Sequence, residues 1–411
     1  MAKPEIRLKG FKGEWSATQL SQIAKFSKGH GYSKSDLCEQ GTPIILYGRL
    51  YTNYSTEIDC VDTYVKMKEG SVLSKGGEII IPASGETPED IACASVVNRD
   101  GIILGGDLNI FSIDEKKYNP AFTALSITYG KVHNELAKYA QGKTVVHLHN
   151  AEISKATIQY PQGIEEQVAL ADYFKSLDSM IQGVTKKIAS LKQMKQACLV
   201  SMFPQAGETT PRVRFKGFKG EWVIVKLSSI AKRITRKNSQ LESTLPLTIS
   251  AAEGLIEQTA FFNNVVASSN VSGYYLLKKG EFAYNKSYSN GYPFGAVKRL
   301  DKYEMGVLST LYIVFSVDES VSSDYIVHFF DTSLWHKEVA MRAAEGARNH
   351  GLLNIGAEDF LDIDIFLPKD ISEQQQIASF FTSLDKQISL QEARLEKLEQ
   401  IKAACLDKMF V

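Results

Sequence analysis

The stretch KGFKGEW occurs twice, letter for letter, at Lys9–Trp15 and at Lys216–Trp222, 207 positions apart. Two of the chain's three tryptophans lie in these copies, so coincidence is a poor explanation. A chain with an internal repeat is constrained to fold as related halves. The same register extends downstream, where Leu20, Ile23, Ala24 and Lys25 fall on Leu227, Ile230, Ala231 and Lys232. Much later PQGIEEQVALADYFKSLD (Pro161–Asp178) falls on PKDISEQQQIASFFTSLD (Pro368–Asp385), and QACLVSMF (Gln196–Phe203) on AACLDKMF (Ala403–Phe410). Between these anchors identity largely disappears. A trace survives at an offset of 204, with FSIDE (Phe111–Glu115) over FSVDE (Phe315–Glu319). Each half is a shared start, a divergent body and a shared end.

The shared end reads as a long helix. Pro161 and Pro368 stop strand-like segments (ATIQY and IDIFL), and the Glu/Gln-rich turns that follow favour helix initiation. Apolar residues then recur by threes and fours: Phe174, Leu177, Ile181, Val184, Ile188, Leu191, Cys198 and Met202. The second copy gives Phe381, Leu384, Ile388, Leu395, Leu398, Cys405 and Met409. Such a seam predicts two equal helices that pair with each other. Gln391 and the equivalent Lys195 and Lys402 interrupt it, and polar seam residues fix register and partner choice at a cost in stability. MFPQAGETTP (Met202–Pro211) breaks the first helix and links the halves. The bodies look like mixed α/β domains, with β-rich runs such as GEIIIP (Gly77–Pro82) and STLYIVFSV (Ser309–Val317) among turns and a few helical stretches.

Composition narrows the function. At 411 residues, 44% apolar and 23% charged, the chain reads as a soluble two-domain protein. It has no apolar run of membrane-spanning length and no signal-peptide core at its start, and is expected to be cytoplasmic. Five scattered cysteines without a C-x-x-C argue against a disulfide framework or a zinc knuckle. Lysine plus arginine equal aspartate plus glutamate at 47 each. Residues 16–160 carry 14 basic and 16 acidic side chains, and residues 223–367 carry the same numbers. Any nucleic-acid binding must therefore come from local patches or be shared with a basic partner.

No catalytic constellation emerges. AKYAQGKT (Ala137–Thr144) fits a relaxed phosphate-loop pattern, but a helical segment enters it and a strand-like VVHLH leaves it, the reverse of what phosphate cradling needs. No two prolines are adjacent, so the Asn/Asp-Pro-Pro-aromatic motif of amino-methylating enzymes is missing, and NKSYSNGYPFG (Asn285–Gly295) is a distant echo. His147 and His149 share a strand face without a third ligand. Asp114, Glu115 and Lys116 read as a solvated turn. No metal site is expected.

Binding chemistry on loops remains. After each repeated Trp comes a basic, hydroxyl-rich stretch: KFSKGHGYSK, with Lys28, Tyr32 and Lys34, and AKRITRKNS, with Arg236 and Lys237. Late in each body sits a glycine turn carrying donors: QGKT, with Lys143 and Thr144, and EGARNHG, with Arg348, Asn349 and His350. Lys286 and Tyr288 lie in the loop between them in the second half. Arg and Asn read guanine and adenine edges bidentately, and lysines suit phosphates.

A start segment ending in Gly-Glu-Trp, a variable body, a glycine turn, Pro and a long helix, all twice, resembles the specificity (S) subunit of type I restriction–modification systems over the entire chain. The resemblance implies an α/β (α+β) fold of two tandem target recognition domains, joined by two long helices in an antiparallel coiled coil with pseudo-two-fold symmetry. The expected divisions are 1–160 (start segment and first recognition domain), 161–203 (first spacer helix), 204–222 (linker and repeated start), 223–367 (second recognition domain) and 368–411 (second spacer helix). It further implies a non-catalytic chain that reads a bipartite, asymmetric site in double-stranded DNA and docks methyltransferase subunits, two of them expected, with restriction subunits a further partner. S-adenosylmethionine, ATP and magnesium would belong to those partners, with no cofactor in this chain. The competing reading of a different class is a tandem adaptor on a coiled coil that binds no DNA.

Overall fold

The computed structural model describes residues 3–142, 144–205, 207–250, 253–259, 270–287, 291–343 and 353–410. The chain divides into two compact units, residues 1–186 with 392–411, and residues 187–391, so each unit holds part of both long helices. No helix among the described residues is long and apolar enough to cross a membrane.

In the first unit the repeated segment is a clasp. Gly10 and Gly13 adopt φ of +103° and +94°, a region that L side chains avoid, and turn the chain so that Trp15 is buried edge-on against Phe122. Arg7 reaches back over this turn. Its guanidinium donates to the carbonyl oxygens of Lys12 and Gly13 and grips both carboxylate oxygens of Glu166 at 2.6 Å. Glu166 lies in the first turn of the helix Ile164–Met202, where a carboxylate is favoured by the helix dipole. Beside it Gln167 is fully buried; its Oε1 accepts from the Asn119 amide at 2.9 Å and its Nε2 donates to the Pro161 carbonyl at 3.0 Å. Strand Ser16–Gln19 pairs antiparallel with Thr157–Tyr160, so the chain enters and leaves the body along neighbouring strands.

The second unit repeats these contacts residue for residue. Arg214 grips Glu373 at 2.6 and 2.8 Å and donates to the Gly220 and Lys219 carbonyls. Trp222 is buried edge-on against Tyr325. Gln374 accepts from the Ser322 amide and donates to the Pro368 carbonyl. Val223–Lys226 pairs with Asp364–Leu367. KGFKGEW is repeated because it is the turn that the clasp closes on, and there are two clasps.

The bodies share less. In the first, Ala24–Lys28, Leu108–Ile113, Glu78–Pro82, Ser95–Val97 and Glu57–Ile58 form one five-stranded sheet in that order. Leu37–Cys38, Tyr64–Val65, Thr42–Ile45, Asp100–Leu104 and Leu73–Lys75 form another. Each sheet contains one parallel pair among antiparallel ones. Among the described residues the second body has a four-stranded sheet in the order Ala231–Arg233, Ile313–Val317, Phe282–Asn285, Ala296–Arg299, with two separate strand pairs. The FSIDE and FSVDE segments hold equivalent places: each lies on the strand that pairs antiparallel with the second strand of its half, Ile113 opposite Ala24 and Val317 opposite Ala231.

Both long helices run 39 residues, Ile164–Met202 and Ile371–Met409, roughly 58 Å at 1.5 Å per residue. Of the seam residues, Leu177, Val184, Ile188, Leu191, Leu384 and Ile388 are buried, and Ile181, Leu395 and Leu398 are half-buried. In the first unit Lys402 Nζ lies 2.5 Å from Asp178, and the Tyr173 hydroxyl 3.4 Å from Cys405 Sγ. Numbers rising on one helix meet numbers falling on the other, so the segments are antiparallel. The second unit holds the equivalent pair, Lys195 Nζ 2.7 Å from Asp385. Each helix ends on a ring packed in a core: Phe410 against Phe122 and Phe174, Phe203 against Tyr325 and Phe381.

The clasp can be broken from one side. Glu373 is 1% exposed, so Arg214→Ala strands a buried carboxylate and is expected to cost about 3 kcal/mol or more. Adding Glu373→Leu should recover most of that loss. Urea unfolding of the full chain measures both, and equal stabilities for the parent and Arg214→Ala would contradict the clasp.

Candidate functional site

The basic loop after the first clasp is held by backbone. Gly29 donates to Leu108 at 2.9 Å, His30 to Leu104 at 3.2 Å, and Gly106 to Gly31 at 2.6 Å. A Cβ on Gly29 would sit 1.8 Å from the Gly105 carbonyl oxygen, so only glycine fits. This fixes where Lys28 ends its strand, exposed. Tyr32 has φ of +64° and is tied down by its hydroxyl, which accepts from the Lys68 amide at 2.7 Å and bonds Ser71 Oγ at 2.6 Å. The Lys68 ammonium lies 4.7 Å above the same ring and pairs with Asp36, holding that carboxyl below the usual range. Lys34 opens the short turn Lys34–Asp36 and points out exposed. The structure thus adds Lys68 and Ser71 to this patch. Neither was readable, since they come from a turn 36 or more residues away.

The QGKT turn is closed by Gln141 and His147, which exchange backbone bonds of 2.8 and 3.0 Å. Thr144 is exposed on it, while Lys143 lies outside the described residues. Helix Lys131–Tyr139 enters and strand Val146–His147 leaves, an order that aims no helix N-terminus at the loop. The His147 and His149 rings stack 6.3 Å apart, and His147 Nδ1 lies 3.1 Å from Ser84 Oγ.

In the second body the basic stretch is engaged in the fold. One Arg236 nitrogen, Nη2, donates to both oxygens of Glu281, at 2.9 and 2.7 Å. Lys237 Nζ donates to the Gly273 carbonyl at 2.9 Å and lies 4.3 Å from the Tyr275 ring centre. Asn238 is fully buried and exchanges bonds with Ser243 that shape the loop. Lys286 Nζ donates to the Ile355 carbonyl at 3.3 Å, and its backbone carbonyl accepts from Leu353. Tyr288, Arg348, Asn349 and His350 lie outside the described residues.

One further cluster was not legible from spacing. Lys195, besides Asp385, lies 2.9 Å from Asp331, which also faces Lys298 at 3.6 Å and His328 Nδ1 at 3.5 Å. Burial alone would raise the Asp331 carboxyl; His328, Lys298 and Lys195 overcome it and hold it well below the usual carboxylate range. Its ion pairs therefore contribute stability that is fully present above the ordinary aspartate range and lost only in strong acid. Among the described residues, His328, Asp331 and Asp385 are the one group of three side chains with metal-ligand spacing. The Lys195 ammonium already stands among them.

Residues 12–193 and again 219–400 match the family of type I restriction modification DNA specificity domains. Among solved structures, the chain is similar to a type I restriction-modification system S subunit from M. genitalium, at TM-score 0.60 and 12% identity, over 100% of this chain and 99% of that one. A second similar chain comes from a structure described as the basis of complex assembly and conformational transition of the type I R-M system, at TM-score 0.51 and 12% identity, over 98% of both chains. No curated protein matches.

The candidate cations separate by what they hold. Arg236→Ala leaves the mostly buried Glu281 without this cation and is expected to cost about 1 kcal/mol, given Arg236's own partial exposure. Lys28→Ala and Lys34→Ala should stay within about 0.5 kcal/mol of the parent. Thermal unfolding of the three variants checks this, and a reversed order would reassign the roles.

Proposed function

The chain belongs to the type I restriction–modification DNA specificity family, and from that premise we propose that it is a specificity subunit whose two units each read one half of a bipartite, asymmetric site in double-stranded DNA. The observation that carries this reading is one clasp used twice around two different bodies. Arg7–Glu166 and Arg214–Glu373 hold equivalent frames, while the sheets they present differ in strand number and order. Different bodies read different half-sites.

The long helices are the frame on which methyltransferase subunits dock, two per chain, with restriction subunits joining the complex beyond them. Adenine N6 methylation, with S-adenosylmethionine, and ATP- and magnesium-dependent cleavage belong to those subunits. This chain supplies recognition and no chemistry. Lys28 and Lys34 are exposed, and suit phosphate contact; Thr144 and the turn that carries Lys143 suit the groove, as do Arg348, Asn349, His350 and Tyr288 for the other half-site. Arg236, Lys237 and Lys286, each also bonded within the fold, suit phosphate contact at the second half-site.

With methyltransferase subunits present, the full chain should shift a duplex carrying the site, and Lys28→Ala or Lys34→Ala should each lower the salt dependence of binding by about one counterion. A chain that binds no DNA in that assay favours the adaptor reading. Purified alone, it should transfer no methyl groups.

The two frames also predict what a half does. In a fragment ending at Phe203, Leu199, Lys195 and Phe203 of a second copy can occupy the places of Leu406, Lys402 and Phe410, because Phe203 already packs on Tyr325 and Phe381 as Phe410 does on Phe122 and Phe174. The fragment should dimerise and, with methyltransferase, direct methylation to an interrupted palindrome of the first half-site. Sedimentation and methylation mapping decide; a monomer at micromolar concentration sinks the idea.

A further inference from the structure

The two units carry cavities at equivalent places, and the charged groups that line them differ. The short body helices correspond at an offset of 203. Asn119 and Ser322 fix it, since each caps its helix and each amide is taken by the glutamine of a long helix. On that register Thr128, Tyr129 and His133 match Asp331, Thr332 and His336, while Ala403 and Leu406 match Gln196 and Leu199 at 207. In the first unit these residues line a cavity of about 650 Å³; in the second they line one of about 420 Å³.

The first cavity has an apolar floor at Leu50 and Leu406 and walls that include Tyr51, Tyr54 and Tyr129. Glu89, Asp90 and Asp407 also line it, the first and last of them exposed, and none of its lining residues is lysine or arginine. The second cavity is lined instead by Lys192, Lys195 and Lys298, with Asp331 its one carboxylate. A feature that recurs at equivalent places on a twofold-repeated frame is where two copies of one partner would touch it.

We propose that the first-unit cavity receives an arginine side chain carried by a methyltransferase subunit, that the second-unit cavity disfavours the same arginine, and that the two copies therefore dock with unequal strength. This rests on the functional reading above. A guanidinium stacks on tyrosine faces while its edge forks to carboxylates, and its aliphatic stem covers an apolar floor. Phosphate would be repelled by the same three carboxylates, so the cavity is a protein-docking feature and not part of a DNA path.

The test is titration of the full chain with its methyltransferase subunit, read by native mass spectrometry and calorimetry. The parent is expected to take two equivalents of unequal affinity. Glu89→Lys with Asp407→Lys, both at exposed positions, should keep the parent's thermal unfolding and weaken the tighter equivalent by about tenfold or more. Tyr51→Leu, which keeps every charge, should weaken the same equivalent by less. Two identical equivalents in the parent, or a charge-reversed chain that binds both as the parent does, would overturn the proposal while leaving the functional reading intact. A parent chain that binds no methyltransferase at all would overturn both.

Discussion

Everything else in this chain hangs from a buried ion pair. A 39-residue helix with one apolar seam cannot stand alone, and its first turn has backbone amides with no helical partner. Arg7 anchors that helix to its body by tying Glu166 to the turn that buries Trp15, and Gln167 extends the tie to the body through Asn119. Taking a guanidinium and a carboxylate out of water is costly, and such pairs are weak arguments for stability as such. Their value here is geometric. A forked pair accepts one orientation, so the helix leaves the body in one direction.

The seam lysines show how a polar interruption sets register. An all-apolar seam can slip by a heptad with little penalty. With Lys195 and Asp178 on one helix and Asp385 and Lys402 on the other, a slip would part both cations from their anions. The two pairs are equivalent by the repeat but not equally surrounded. Lys195 also meets Asp331, where the first body has Thr128, whose hydroxyl is already engaged with Ala94 and Tyr54.

What the sequence disclosed follows from what periodicity can encode. The repeat, the seam and the polar positions Lys195 and Lys402 were legible, because helical contacts recur at fixed spacing. Asp178 and Asp385 were in view as shared residues, yet nothing local marks them as the lysines' partners. The sheets were legible only as a class. Strands of two to six residues are paired by contacts far apart in sequence, which propensity does not record. The basic loops show the limit at the candidate site: Lys28 and Arg236 read alike, but Lys28 stands exposed at the end of its strand and Arg236 pairs with Glu281, 45 residues away.

The two clasps also bear on inheritance. Paired crossovers, one in the stretch that encodes the repeated turn (Lys9–Trp15, Lys216–Trp222) and one in the stretch that encodes the repeated helix start (Pro161–Asp178, Pro368–Asp385), would trade one body for the other while leaving an arginine ahead of the turn and a glutamate behind it. In the exchanged gene product each frame would still close, and the strands flanking the body would still find a partner. The exchange would leave Lys195 facing Thr128 in place of Asp331, with Asp385 still beside it. A lineage carrying such a gene could reshuffle what it recognises without having to refold the molecule that does the recognising.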